Sequence, residues 1–272
     1  MIQKSMSLPK QFESFRCILE HSAQEYMKIT AFPKAPCITN SKLGGLPYLP
    51  KGTSHPRDDT GEYMVLLAQI NFSEGDFPAP FPKIGLLQIF VSPFVYEQAP
   101  ETKGCVSPNL FHVRYYPIIP SEDLVKDFSY LRNRSLQRYS IAPQCPIDHE
   151  LLLTFSGKIE PISATDYRLH QFISLDLAEQ FTNIEQQPFS ELYLQHFSSA
   201  EHKMGGYPYF ISEDIRANSK FLQTYDTLFL QIVSDDEQGI MWGDSGIIKF
   251  FINHEKLKAC NFSDMLFYVE AY

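Results

Sequence analysis

The chain has 272 residues, 44% of them hydrophobic and 20% charged, with a formal net charge of −9. That length can bury a sizeable core, and the composition excludes a disordered or fibrous chain. A surface of that sign repels phosphate backbones, which argues against nucleic acid and against anionic membranes as partners.

Residues 7–29 read as an amphipathic N-terminal helix. Ser7 can cap it, Pro9 suits its first turn, and Phe12, Phe15, Ile18, Tyr26 and Ile29 recur at roughly helical spacing. Pro33 and Pro36 end this section, placed at residues 1–35. A β-rich unit follows over 36–95, with strands at Tyr63–Phe72 and Ile84–Val91 joined by the proline-punctuated Phe77–Lys83. The middle, 96–200, is a connecting α/β region. It holds a strand at Val113–Ile119, a helix start at Ser121–Leu124 and a hairpin over Leu151–Ile162 turning at Ser156-Gly157. Helical turns are expected over Tyr167–Phe172, Ser174–Phe181 and Ser190–Phe197. The last unit, 201–272, carries strands at Thr227–Val233, Gly246–Ile252 and Leu266–Val269, with a short helix at Glu255-Lys256-Leu257.

Two of these sections share text. Lys42-Leu43-Gly44-Gly45-Leu46-Pro47-Tyr48-Leu49 recurs 161 positions on as Lys203-Met204-Gly205-Gly206-Tyr207-Pro208-Tyr209-Phe210. Leu66-Leu67-Ala68-Gln69-Ile70 recurs as Leu228-Phe229-Leu230-Gln231-Ile232, and Gly85–Val91 as Gly246–Ile252, at almost the same offset. Collinear matches at one spacing predict an internal duplication. The expected fold is α+β: two antiparallel β-rich units related by a pseudo-two-fold axis, with helices packed around them in a single domain of 1–272. Gly45 should then superpose on Gly206, and Gln69 on Gln231.

The order Lys-x-Gly-Gly-x-Pro-Tyr, Leu-x-x-Gln-Ile and Trp242-Gly243-Asp244-x-Gly246 resembles the YwqG family, bacterial proteins classed as a domain of unknown function. The resemblance runs from about Pro36 to Tyr272. It implies an α+β fold with two related halves and a cytoplasmic setting, and brings no activity or catalytic residue with it.

The residues themselves offer six candidates for ligand or partner binding: Lys42, Gln69, Lys203, Gln231, Trp242 and Asp244. A lysine beside paired glycines could cradle an anion, but the lysine precedes the glycines and proline follows, which is not the phosphate-loop order. The competing reading has the glycines shaping a tight turn with the lysines on its surface. Gln69 and Gln231 each sit inside an apolar strand, where a buried amide must find partners, first in neighbouring backbone and second in a ligand. Trp242 suits a core plug and an interface equally. Asp235-Asp236-Glu237 with Asp244 is the densest acidic cluster, yet its register does not match a calcium loop.

Five scattered cysteines (Cys17, Cys37, Cys105, Cys145 and Cys260) form no ligand-spaced pair, so neither disulfide nor structural zinc is expected, and no cofactor is implied. No stretch reaches transmembrane length and the N-terminus lacks an apolar signal segment. With no catalytic constellation legible and an acidic surface, the expected function is that of a non-enzymatic binding protein, in one concrete form masking a basic partner as immunity proteins do. The alternative is an enzyme or small-ligand binder whose site lies in the cleft between the two units.

Overall fold

The computed structural model describes residues 6–95, 104–120, 123–131, 147, 149–174, 188–243 and 245–270. Ten strands among them join in one wholly antiparallel sheet of order β10-β9-β8-β7-β1-β6-β2-β3-β4-β5. At its centre β1 (Gln24–Phe32) pairs with β6 (Leu151–Glu160) along its full length, from Gln24 opposite Glu160 to Phe32 opposite Leu152. The free side of β6 takes the short β2 (Lys42–Leu43), followed outward by β3 (Val65–Asn71), β4 (Leu86–Val91) and β5 (Phe111–Tyr116). The free side of β1 takes β7 (Lys203–Gly205), followed by β8 (Thr227–Val233), β9 (Ile247–Ile252) and β10 (Met265–Glu270). Both β3 and β8 carry a register shift at corresponding places, between Leu66 and Ala68 and between Leu228 and Leu230.

Alternation decides which side chains go inside. Met27, Ile29 and Ala31 of β1, Leu87, Ile89 and Val91 of β4, and Ile248, Phe250 and Ile252 of β9 share one buried cluster. The sheet curls around it. Val106 N–H donates to the Phe267 carbonyl at 2.9 Å and Val269 N–H to that of Gly104 at 2.8 Å, so 104–106 covers β10 just before the chain enters β5 at the opposite edge. That stretch thus covers the β10 edge on its way into β5, the strand at the other edge. Phe111 reaches across to Phe250 and Phe267, with ring centroids 5.9 and 5.7 Å away, and Phe81 meets Phe229 at 5.7 Å. The space between the two sets of strands is therefore filled by apolar side chains. Three smaller clusters cover the outer face, the largest gathering Phe12, Leu19, Ile162, Phe189, Leu192 and Tyr193.

Four helices are described: α1 (Arg16–His21), α2 (Leu169–Phe172), α3 (Phe189–Phe197) and α4 (His254–Lys258). Two expectations need correction. The helix expected over 7–29 stops at His21, after a 3₁₀ turn at Lys10–Phe15, and its second half is strand β1. Ser22 is the cause. It is buried, its hydroxyl bonds back to the Leu19 carbonyl at 2.9 Å, and it accepts the Ile162 N–H at 3.1 Å and the Tyr207 hydroxyl at 2.5 Å. Past that anchor, Met27, Ile29 and Ala31 alternate inward, a strand period hidden inside an apparent helical stripe. The hairpin expected over Leu151–Ile162 is instead the single strand β6, because β1 offers a continuous ladder on which Gly157 lies opposite Met27. The helix start at Ser121-Glu122 and the segment Ser174–Phe181 fall wholly or mostly outside the described residues. Leu124 makes a bridge with Pro50.

Candidate functional site

The two glycine turns were the first candidates. Gly44 and Gly45 have φ of 65° and 72°, Gly205 and Gly206 76° and 68°. Two successive left-handed residues aim their N–H groups into one hollow, a concavity suited to an anion. Each hollow holds a carboxylate of the same chain. A Cβ placed on Gly45 would lie 2.3 Å from Glu150 Oε1, and one on Gly206 2.1 Å from Glu160 Oε1. Lys42 Nζ bonds Glu150 at 2.8 Å. Lys203 Nζ bonds both Glu160 oxygens at 2.6 and 2.8 Å, while Tyr207 N–H and the Ser199 hydroxyl each donate to that carboxylate at 2.7 Å. The lysines are not on the turn surface, as one sequence reading had them: their side chains are 1% and 0% exposed. Desolvation pulls Lys203 below the usual lysine range, and Glu160 works against that pull.

Gln69 and Gln231 serve the same turns. Gln69 Oε1 accepts the Tyr48 N–H at 2.9 Å while Nε2 donates to the Ile38 and Asn40 carbonyls. Gln231 Oε1 accepts the Tyr209 N–H at 2.8 Å while Nε2 donates to the Ser199 and Glu201 carbonyls. Lys42 lies opposite Gln69 and Lys203 opposite Gln231 in the ladders, so each repeated pair closes its own loop. Two positions missed at the sequence level complete the pattern: Gln88 Nε2 donates to the Tyr48 carbonyl at 2.7 Å, and Lys249 Nζ to that of Tyr209 at 2.8 Å. Their signal was a polar residue inside Leu86–Val91 and again inside Ile247–Ile252. Lys249 also pairs with Glu270, and burial pulls its pKa down to about 8. Also unanticipated is a buried chain of charges in which Arg216 bonds Asp214 at 2.7 Å and Asp166 at 3.2 Å, and Asp166 in turn holds Arg168.

Trp242 is fully buried in the main cluster. Asp244 and Cys145 lie outside the described residues. Asp235 accepts the Gln238 N–H and faces His202 Nε2 at 3.4 Å. Among the described residues, no group of three His, Cys, Asp or Glu side chains could hold a metal ion.

None of Lys42, Gln69, Lys203 and Gln231 lines either of the two grooves described among these residues. Two adjoining grooves instead run over the end of β1, where side chains of both sets of strands meet. The larger, about 940 Å³, has β1 and β6 as its floor and Asp76–Ala79 with Lys83 as a wall. The smaller, about 410 Å³, lies between Pro78–Phe81 and the Gly205-Gly206 turn, with Arg168, Asp226 and His254 on its sides. Glu25, Pro78 and Ala79 belong to both. Lys83 is held by Asp76 at 2.8 Å, and Arg168 Nε and Nη2 by Asp166. The side chains of Glu25 and Lys158 have no ion-pair or hydrogen-bond partner among the described residues. These two groups are open to a ligand from the grooves, and scattered single residues of this kind carry no motif that could have announced them.

A family model described as a domain of unknown function (DUF1963) matches residues 41–270, so the chain belongs to that family. No curated protein matches the chain.

Proposed function

We propose that this member of the DUF1963 family acts by binding rather than by catalysis, and that it recognises its partner through the grooves at the end of β1. The observation that carries this reading is the use made of the polar residues. The lysines and glutamines that the sequence repeats, and the carboxylates of Glu150 and Glu160 that meet those lysines, are each engaged by other groups of the chain, whereas the side chains of Glu25 and Lys158 face the grooves with no such engagement. We also propose that 36–95 and 201–272 are descendants of one unit within a single domain. The matched contacts of Gln69 with Gln231, of Gln88 with Lys249 and of the two glycine turns support it.

A basic protein is the partner class that best suits a net charge of −9; the grooves carry Glu25, Asp76 and Asp226 beside Lys83, Lys158 and Arg168, and Glu25 and Asp226 are the carboxylates offered to it. Masking such a partner in the cytoplasm, in the manner of an immunity protein, is the concrete form of this reading. No described helix is long and apolar enough to cross a membrane. The test is affinity capture from the native host followed by mass spectrometry, with wild type beside a Glu25→Lys, Asp226→Lys variant. A basic protein captured by wild type and lost by the variant is the expected result. The same partner held equally by both would place recognition elsewhere and refute the groove.

A second reading, a small-ligand site between the two units, is favoured by the smaller groove, whose walls come from both.

A further inference from the structure

The two glycine turns have matching surroundings, so the places where their neighbours differ are informative. At Gly44 the nearest backbone atom to an added Cβ is the His149 carbonyl oxygen, at 3.0 Å; at Gly205 it is that of Glu25, at 3.5 Å. Glu25 therefore stands where His149 stands, and two residues earlier Ala23 corresponds to Ile147. Likewise Ala79 precedes Phe81 and Gly85 as Ile240 precedes Trp242 and Gly246. On the first side Ile147 and Ile240 form a bridge, and Ile147 Cγ2 lies 3.2 Å from the added Cβ of Gly44. Both isoleucines are buried, at 5% and 0% exposure. On the second side both positions are alanine, Ala79 is exposed, and the 410 Å³ groove opens there. The closed version shows that the fold does not need this opening. Its size falls within the roughly 300–1,000 Å³ of small-molecule sites.

The opening is lined by both signs of charge. Glu25 has no described partner. Asp226 Oδ1 accepts the His254 N–H at 2.8 Å and the Thr227 hydroxyl at 3.0 Å, which fixes the carboxylate. Arg168 is fixed through Nε and Nη2 on Asp166, at 2.8 and 2.7 Å, leaving Nη1 without a described partner. Rigidly held groups of opposite sign in one small opening suit a ligand that carries both signs itself. We infer that the opening takes a small zwitterion of the amino-acid class, its ammonium received by Glu25 and Asp226 and its carboxylate by the Arg168 guanidinium. The inference deepens the small-ligand reading of the smaller groove and rests on that reading; loss of the basic partner in the capture experiment would leave it standing, because its own test uses the purified chain and free ligands alone.

Thermal unfolding of the full chain with each free L-amino acid and with glycylglycine, all at millimolar concentration, tests it. Sodium acetate and methylammonium chloride at matched ionic strength serve as half-ligands. The expected result is that at least one zwitterion raises Tm, by on the order of 2–4 °C at ten times its Kd, while neither half-ligand does. Ala79→Ile should abolish the shift by restoring the closed version. Should that variant not fold, Glu25→Gln at an exposed position is expected to weaken binding about tenfold or more. No shift with any zwitterion overturns the inference, as does a shift that acetate reproduces or that survives both substitutions.

Discussion

Replacing Lys203 by alanine separates a structural glycine turn from an external anion site. The Lys203 side chain is fully buried, and its Nζ lies 2.6 and 2.8 Å from the two oxygens of Glu160. Removing it strands a carboxylate that is itself only 11% exposed, beneath a turn whose Gly206 has no side chain to move. Breaking one partner of a buried pair costs about 3–5 kcal/mol. Tyr207 N–H and the Ser199 hydroxyl still hold Glu160, so the lower end applies, about 3 kcal/mol. Lys42→Ala provides an internal comparison. Its partner Glu150 is 29% exposed and can hydrate, so that change should cost about 1–2 kcal/mol. Urea unfolding followed by the fluorescence of the single, buried Trp242 measures both. A double variant, Lys203→Met with Glu160→Gln, should regain part of the loss because the stranded charge is gone. If Lys203→Ala stays within about 0.5 kcal/mol of wild type, as exposed lysines do, the turn is not held by its own carboxylate and the reasoning fails.

Gly206→Val should be at least as damaging as Lys203→Ala, since its Cβ would sit 2.1 Å from Glu160 Oε1 on a residue with φ of 68°; a melt indistinguishable from wild type would contradict this. Gln231→Leu leaves the Tyr209 N–H and the Ser199 and Glu201 carbonyls without their amide, and should cost about 2–4 kcal/mol in the same urea assay. His202 supplies a pH dependence. Its Nδ1 accepts the Val233 N–H at 3.2 Å, and burial pulls its pKa below the usual value against the opposing influence of Asp235 and Glu201 and with that of Lys28. The unfolded chain therefore binds more protons below about pH 6.5, so His202 contributes stability above that pH and loses it as pH falls toward the folded value. His202→Ser, which copies Ser41 accepting the Asn71 N–H at 2.8 Å, should flatten the stability profile below about pH 6.5; an unchanged profile would exclude His202 as the cause. Thiol titration of the denatured chain should find all five cysteines free, and metal analysis no stoichiometric zinc.

The outer strands were legible because each is a short apolar run bounded by turn residues, and β8 falls on Thr227–Val233 as the pattern predicts. The centre of the sheet was not. Met27, Ile29 and Ala31 satisfy a strand period while Tyr26 and Ile29 also extend a helical one, and only Ser22, anchored by residues 140 and 185 positions away, decides between them. Gly157 marks a turn in isolation and lies mid-strand because β1 runs beside it. The repeated Gln69 and Gln231 were recognisable as buried amides that must find partners, with neighbouring backbone the first candidate and a ligand the second, and the backbone is where the structure puts them. The burial of Lys42 and Lys203 was hidden because their partners, Glu150 and Glu160, come from the middle region, which carries no echo of the repeat.

The placing of β1 and β6 has a consequence for how the chain can be divided. β1, from the N-terminal portion, lies between β6 and β7, both from the C-terminal portion; β6 in turn lies between β1 and β2. Severed before β6, the molecule would give two pieces, each lacking the middle neighbour of its own strands. The N-terminal piece would have a vacant slot between β1 and β2 shaped for β6, and the C-terminal piece one between β6 and β7 shaped for β1. Such mutual donor-strand exchange makes neither piece a folding unit, and should make the two together a complementation pair whose reassembly is slow, because the ladders that join them are all non-local.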